Sequence, residues 1–213
     1  MRRKRSWRRT FTRGWRVSTE GASGAVEVIA RHLIRLRINF ALVGGLAVSV
    51  RAEVRFTRDV DLAIQVATDA DCEHLIRELR AVGYEVVAIV EHETRKRIGT
   101  VRLRSPQKIV VDLIVASTGI EEEIIGRATT EELEPGLPMP VATAEDLLAM
   151  KILSMRDQRP QDRTDAANLL LMNEAMNIAL VRESLTLMTE RGFDRGQDLQ
   201  SKLDAVLAIA REQ

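Results

Sequence analysis

A single cysteine, Cys72, stands in 213 residues. One thiol builds neither a disulfide framework nor a cysteine-rich zinc site. Such sparing use of cysteine fits a reducing, cytoplasmic setting. Aromatic residues make up only 3% of the chain, so the core has to be aliphatic. No apolar run approaches the roughly 20 residues a membrane helix needs, which argues against any membrane partner. Net charge is lacking too: charged residues are 30% of the chain but sum to only +1, and so even a balance says little about partners. The three histidines, His32, His74 and His92, have no metal-like spacing and receive no role.

Hydrophobic residues make up 45% of the chain, enough to bury a sizeable core in one domain, or in a core domain with a smaller helical one. The charge is unevenly spread. Arg2, Arg3, Lys4, Arg5, Arg8, Arg9, Arg13 and Arg16 fall in the first 16 residues with no acid among them, interleaved with Trp7, Phe11 and Trp15. This is either an arm that meets nucleic-acid phosphates, with aromatics for stacking, or a solvated basic tail. No apolar stretch follows the charges, so it does not read as a secretory signal. Residues 1–20 are expected to be tail.

Helical spacing of Val26, Ile29, Ala30, Leu33 and Ile34 predicts a helix over 25–37. Phe40–Val43 reads as a short buried strand, broken by Gly44-Gly45, with a short helix over 46–51. Val60, Leu62, Ile64 and Val66 alternate, predicting a strand over 59–66. An amphipathic helix over 70–81 ends at Gly83. Strands are expected over 84–90, 98–104 and 108–115, the last two joined by the hairpin-like turn Ser105-Pro106-Gln107, and a helix over 120–128. The character changes after Pro135-Gly136-Leu137-Pro138. From Thr143, which with Asp146 resembles a capping box, the chain reads as helices over 143–157, 161–172, 174–191 and 194–211. The expected division is a mixed α/β core over 21–140 and a helical part over 141–213.

Asp59 and Asp61 are two residues apart in a strand, so both carboxylates lie on one face. Fixing two like charges side by side costs free energy that a divalent cation removes. Carboxylate oxygens suit Mg²⁺ or Mn²⁺. Asp112 interrupts the apolar run Ile109-Val110-Val111-Asp112-Leu113-Ile114-Val115, where a carboxylate needs a partner. That partner is either a metal shared with Asp59 and Asp61, in a two-metal site, or an arginine. Glycines at 44 and 45 let backbone N–H groups approach a phosphate, and Arg55, Thr57 and Arg58 can add contacts.

Gly44-Gly45, thirteen residues, then Asp59-Val60-Asp61-Leu62 resembles the signature of DNA polymerase β-like nucleotidyltransferases, a pair of glycines followed by two spaced acids. Asp112 is similar to that superfamily's third carboxylate. The tract from Val141 to Lys151, with Arg159-Pro-Gln-Asp162-Arg-Thr-Asp165, resembles a further block of AbiEii/AbiGii-type members, known mostly as toxins of toxin–antitoxin and phage-defence systems. Together the blocks span 36–171. In the family block Arg and Asp are often adjacent; here Gln161 precedes Asp162.

The resemblance implies an α/β fold: a small mixed sheet flanked by helices, followed by a C-terminal helical bundle. It implies Asp59, Asp61 and Asp112 as metal ligands, with Asp112 also the base toward the acceptor. Gly44 and Gly45, with Arg55 and Thr57, would bind the nucleotide. Lys151 would reach its phosphates, and Asp162 would orient that lysine or join the site. The implied reaction moves an NMP from an NTP such as ATP to a hydroxyl with release of pyrophosphate. The acceptor would be RNA such as tRNA, and an antitoxin protein the partner. Transfer to a protein or small molecule, and a silent binding module, stand as alternatives. Taken alone, Lys151 also reads as a helix-surface lysine, and Asp162 and Asp165 as charges favouring a helix N-terminus.

Overall fold

The computed structural model describes residues 20–53, 57–92 and 96–211. The basic segment 1–16 and Arg55 lie outside the described residues. In chain order the elements are α1 (Glu20–Arg35), β1 (Phe40–Val43), α2 (Gly44–Arg51), β2 (Val60–Ile64), α3 (Asp69–Ala81), β3 (Glu85–His92), β4 (Arg97–Arg104), β5 (Val110–Ile114), α4 (Glu121–Arg127), β6 (Thr129–Glu134), β7 (Leu137–Val141), α5 (Ala144–Ser154), α6 (Pro160–Met172), α7 (Ile178–Glu190) and α8 (Leu199–Arg211). The fold is α/β, with a mixed sheet followed by C-terminal helices.

The seven strands run in the order β3-β4-β5-β2-β1-β7-β6. β2 lies at the centre, antiparallel to β1 and parallel to β5. Central strands lose both faces to neighbours, which requires apolar side chains on both. Val60, Leu62, Ala63 and Ile64 are accordingly all buried, and so is every residue of β1. The core is continuous from these strands into Leu147, Leu169, Val181 and Leu203 of the helices. The long sequence separations are thus closed by aliphatic contact, as the scarcity of aromatics requires.

Local chemistry sets the element ends. Thr68 caps α3 by accepting from the Asp71 N–H, while the Asp71 carboxylate accepts from the Thr68 N–H, a reciprocal capping box. Thr143 accepts from the Asp146 N–H at the start of α5. Asp146 is fully buried and its carboxylate also binds Arg127, at 2.5 and 3.2 Å. This one residue therefore starts α5 and ties it to α4.

The sequence reading misses β6 and β7. Thr129–Glu134 is polar and β7 carries Pro138 and Pro140, a composition that argues against a strand. Both prolines are tolerated because β7 meets the central sheet only at Val141, opposite Leu42. The rest of its length pairs with the edge strand β6 alone.

Candidate active site

β1 delivers the chain to Gly44, whose φ of +65° is the left-handed region open to glycine. A Cβ built there would lie 1.9 Å from Oδ2 of Asp61. Gly44 is therefore glycine for two reasons, and the second ties it directly to the acid site. The backbone N–H of Gly45 donates to the Asp61 carboxylate. The Gly-Gly turn thus packs directly against the acid site.

Asp61 stands opposite Val43 of β1 on one side and opposite Asp112 of β5 on the other. In-register residues on neighbouring strands project to the same face about 5 Å apart, so the topology sets the two carboxylates side by side. Asp59 falls just before β2 rather than inside it, and is exposed. Half-buried Thr57 and exposed Arg58 lead into it.

Asp112, buried to 8% exposure, has the arginine partner that a carboxylate in an apolar strand requires. Arg102 of β4 lies directly opposite it. The guanidinium donates through Nε to Oδ1 at 2.8 Å and through Nη2 to Oδ2 at 2.6 Å, a bidentate geometry. Among the described residues no three acidic, histidine or cysteine side chains are gathered closely enough to hold a metal ion. Asp61 and Asp112 are nonetheless brought together by the register, and Asp59 is near enough to act on Asp61.

The electrostatics of Asp61 are unusual. Its pKa is pushed up to about 6, chiefly by burial and next by the negative charge of Asp112. Lys151 opposes the rise and Asp59 adds to it. A carboxyl group held back from ionising by burial and like charges is the condition a divalent cation relieves. Mg²⁺ takes one or two protein carboxylates alongside substrate phosphates, a requirement Asp59 and Asp61 fit.

Lys151 on α5 is buried, not a helix-surface lysine. Its ammonium lies 2.8 Å from Oδ1 of Asp162 and 2.7 Å from Oδ2 of Asp165. Both acids belong to α6 and are buried, Asp165 completely, so they are not solvated charges at a helix N-terminus. Gln161 donates to Oδ1 of Asp165 at 2.9 Å.

Sequence reasoning missed Arg102 and underrated Asp165. Counting outward from the expected turn at 105–107 pairs residue 102 with 110; the connection instead runs from 105 to 109, which moves Arg102 opposite Asp112 and hid the pair. The three-residue spacing of Asp162 and Asp165 puts both on one helix face, and one buried cation can serve them together.

A family model described as nucleotidyl transferase AbiEii toxin, type IV TA system, matches residues 30–205. No curated protein matches the chain. Among solved structures, an antigenic nucleotidyltransferase-like protein from Paracoccidioides brasiliensis is 22% identical over 89% of this chain and 94% of its own, with a TM-score of 0.50. This likeness is one of fold. Looser likenesses include the lincosamide antibiotic adenylyltransferase LnuA, 18% identical over 71% of this chain and 96% of its own with a TM-score of 0.47. Another is JHP933 from Helicobacter pylori, 14% identical over 92% and 93% with a TM-score of 0.44.

Proposed function

The chain belongs to the AbiEii nucleotidyltransferase family, and from that premise we propose that it moves an NMP from an NTP onto a hydroxyl of an RNA, such as a tRNA, as the cytoplasmic toxin of a toxin–antitoxin pair. That it is a nucleotidyltransferase follows from the family. The RNA acceptor, the antitoxin partner, the choice of ATP among NTPs and the use of Mg²⁺ or Mn²⁺ are the proposal. The observation that carries it is the register of Asp61 opposite Asp112, beside a glycine that leaves room for no side chain but the aspartate's.

Asp59 and Asp61 would hold the divalent cation, with Asp112 added once it is free of Arg102. When bound, the cation supplies Lewis-acid stabilisation of the charge on the reacting phosphate. The acceptor oxygen attacks the α-phosphorus, the bond from that phosphorus to the bridging oxygen breaks, and pyrophosphate leaves. The hydroxyl proton passes to the Asp112 carboxylate. Gly44 and Gly45 let the α2 N-terminus approach the triphosphate. Lys151, held by Asp162 and Asp165 and near enough to act on the charge of Asp61, supplies the positive charge of the helical part. The work is thereby divided at about residue 140: acids from the core, lysine from the helices. The acid-free basic run at residues 1–16 supports a polyanionic acceptor.

The test mixes purified protein, Mg²⁺ and each α-labelled NTP with total tRNA and follows the label on a denaturing gel. Label on tRNA with the wild type, and none with Asp61→Asn, is the expected result. Label on a protein band instead would replace the RNA acceptor by a protein one.

A further inference from the structure

Away from the acid site, a cavity of about 600 Å³ opens where the end of α5 meets α6, α8 and the loop before α8. Arg156, Arg163, Arg195 and Lys202 line it, and Asp157 is the one acid on its wall. Two of these cations are fixed by neutral groups. Lys202 donates to the carbonyls of Ile152 and Met155, at 3.3 and 2.6 Å, and to Oε1 of Gln197 at 2.5 Å. Arg195 donates to the Ser117 carbonyl and hydroxyl at 3.3 and 3.2 Å. Neutral acceptors hold a cation in place without cancelling its charge. Arg156 and Arg163 are exposed and form no ion pair among the described residues. The lysine and the fixed arginine both have lowered pKa values, from partial withdrawal from water and then from Arg156 and its neighbours. The cluster is a set of like charges gathered at a cost, the mirror image of the acids around Asp61.

We propose that this cavity binds the phosphodiester backbone of the acceptor RNA. The inference rests on the RNA-acceptor reading above and adds a second contact for the same strand. A volume of this size is that of a ligand pocket rather than a single-phosphate notch. Its cations are spread over the turn after α5, α6, the loop before α8 and α8 itself, a spread that suits successive phosphates. Met155, Val206 and Ile209 give it an apolar side on which a base or ribose can rest. Its position is also apt. Met155 follows Lys151 by four residues, a rise of about 6 Å along a helix, and Arg163 is the next residue after Asp162.

The test measures binding of fluorescently labelled tRNA to the full chain by anisotropy across a range of salt, without NTP. Arg156→Gln/Arg163→Gln is compared with the wild type and with Arg156→Lys/Arg163→Lys. The glutamine pair should weaken binding about ten-fold and reduce the slope of log Kd against log salt by about one to two, the share of two phosphate contacts. The lysine pair should restore most of both, and Mn²⁺-dependent NTP binding should be equal in all three. Unaltered affinity and slope in the glutamine pair overturns the proposal. So does loss of pyrophosphate binding with tRNA binding untouched, which makes the cavity a small-anion site. Weakened tRNA binding in the glutamine pair, with no label reaching tRNA in the transfer assay on the wild type, keeps this cavity as an RNA site and removes the RNA-acceptor reading.

Discussion

The molecule holds two clusters of aspartates, and they are held differently. On α5 and α6, Lys151 lies within 3 Å of both Asp162 and Asp165, all three buried. On the sheet, Asp61 is buried with a backbone N–H as its near support, and Asp112 faces it. The cation nearest the sheet pair, Arg102, is half exposed and engages Asp112 alone. The helical cluster carries its own compensating charge at its centre. The sheet cluster carries compensation at its rim and leaves Asp61 strained. A buried carboxyl group pushed up in pKa beside like charges is a candidate functional site, and the divalent cation proposed above is what would relieve it.

Removing the strained acid should have the largest effect on chemistry. Asp61→Asn keeps the shape and the contact with the Gly45 N–H but halves the charge available to a metal. Nucleotidyl transfer should fall by roughly 10³-fold or more, since metal stabilisation supplies several kcal/mol of barrier lowering. Single-turnover transfer of labelled NTP is the measurement. Retention of a tenth of the wild-type rate would place the metal elsewhere.

The helical cluster should break in a different currency. Lys151→Ala leaves Asp162 and Asp165 buried without their cation, which costs about 3–5 kcal/mol. Arg102→Ala opens a pair whose guanidinium is half in solvent and strands one buried acid rather than two, so it should cost less, about 1–3 kcal/mol. Urea unfolding of both variants checks the contrast. Equal losses would mean that the sheet pair carries as much structural weight as the helical one.

Much of this arrangement was legible from the sequence. Alternation gave β2, the apolar run gave β5, and an aspartate inside that run had to have a partner. The sequence left open which partner, because a metal and an arginine satisfy the same deficit. The structure shows the arginine in place, with Asp61 beside it. Arg102 escaped notice because β4 alternates Arg102 and Arg104 with buried Val101 and Leu103, the pattern of a solvated strand face. The close approach of Gly44 to Asp61 is a contact across sixteen residues that spacing does not reveal. The β6–β7 hairpin was hidden by its prolines and its polarity. The basic segment 1–16 remains a sequence feature.

The strain on Asp61 also has a pH signature. Its carboxyl group titrates near 6 in the folded chain against 3.8 for the free group. Above about pH 6 it is ionised in both states and the burial penalty is fully present. As pH falls through 6 the folded form takes up a proton first, so the wild type gains stability down to about pH 4. Asp61→Asn has no such proton to gain. It should be more stable than the wild type by about 2–3 kcal/mol at pH 7.5, with the difference vanishing near pH 4. Thermal unfolding at both pH values measures it, and a difference independent of pH would show that packing, not charge, separates the two.

The smallest expected effect sharpens the comparison most, because it asks whether the rim cation of the sheet cluster competes with the metal. Arg102 takes both Asp112 oxygens, so an ion using all three carboxylates must first break a bidentate pair. Arg102→Gln removes that competition and leaves Asp112 beside Asp61 with two like charges and no guanidinium. Mn²⁺ should then bind about ten-fold more tightly in the absence of NTP, equivalent to about 1.4 kcal/mol. Isothermal titration of Mn²⁺ into both proteins reads this directly, with Asp61→Asn as the blank. Tighter binding makes Asp112 a ligand that the arginine withholds. Unchanged or weaker binding makes Arg102–Asp112 a structural pair and leaves Asp59 and Asp61 to hold the ion alone.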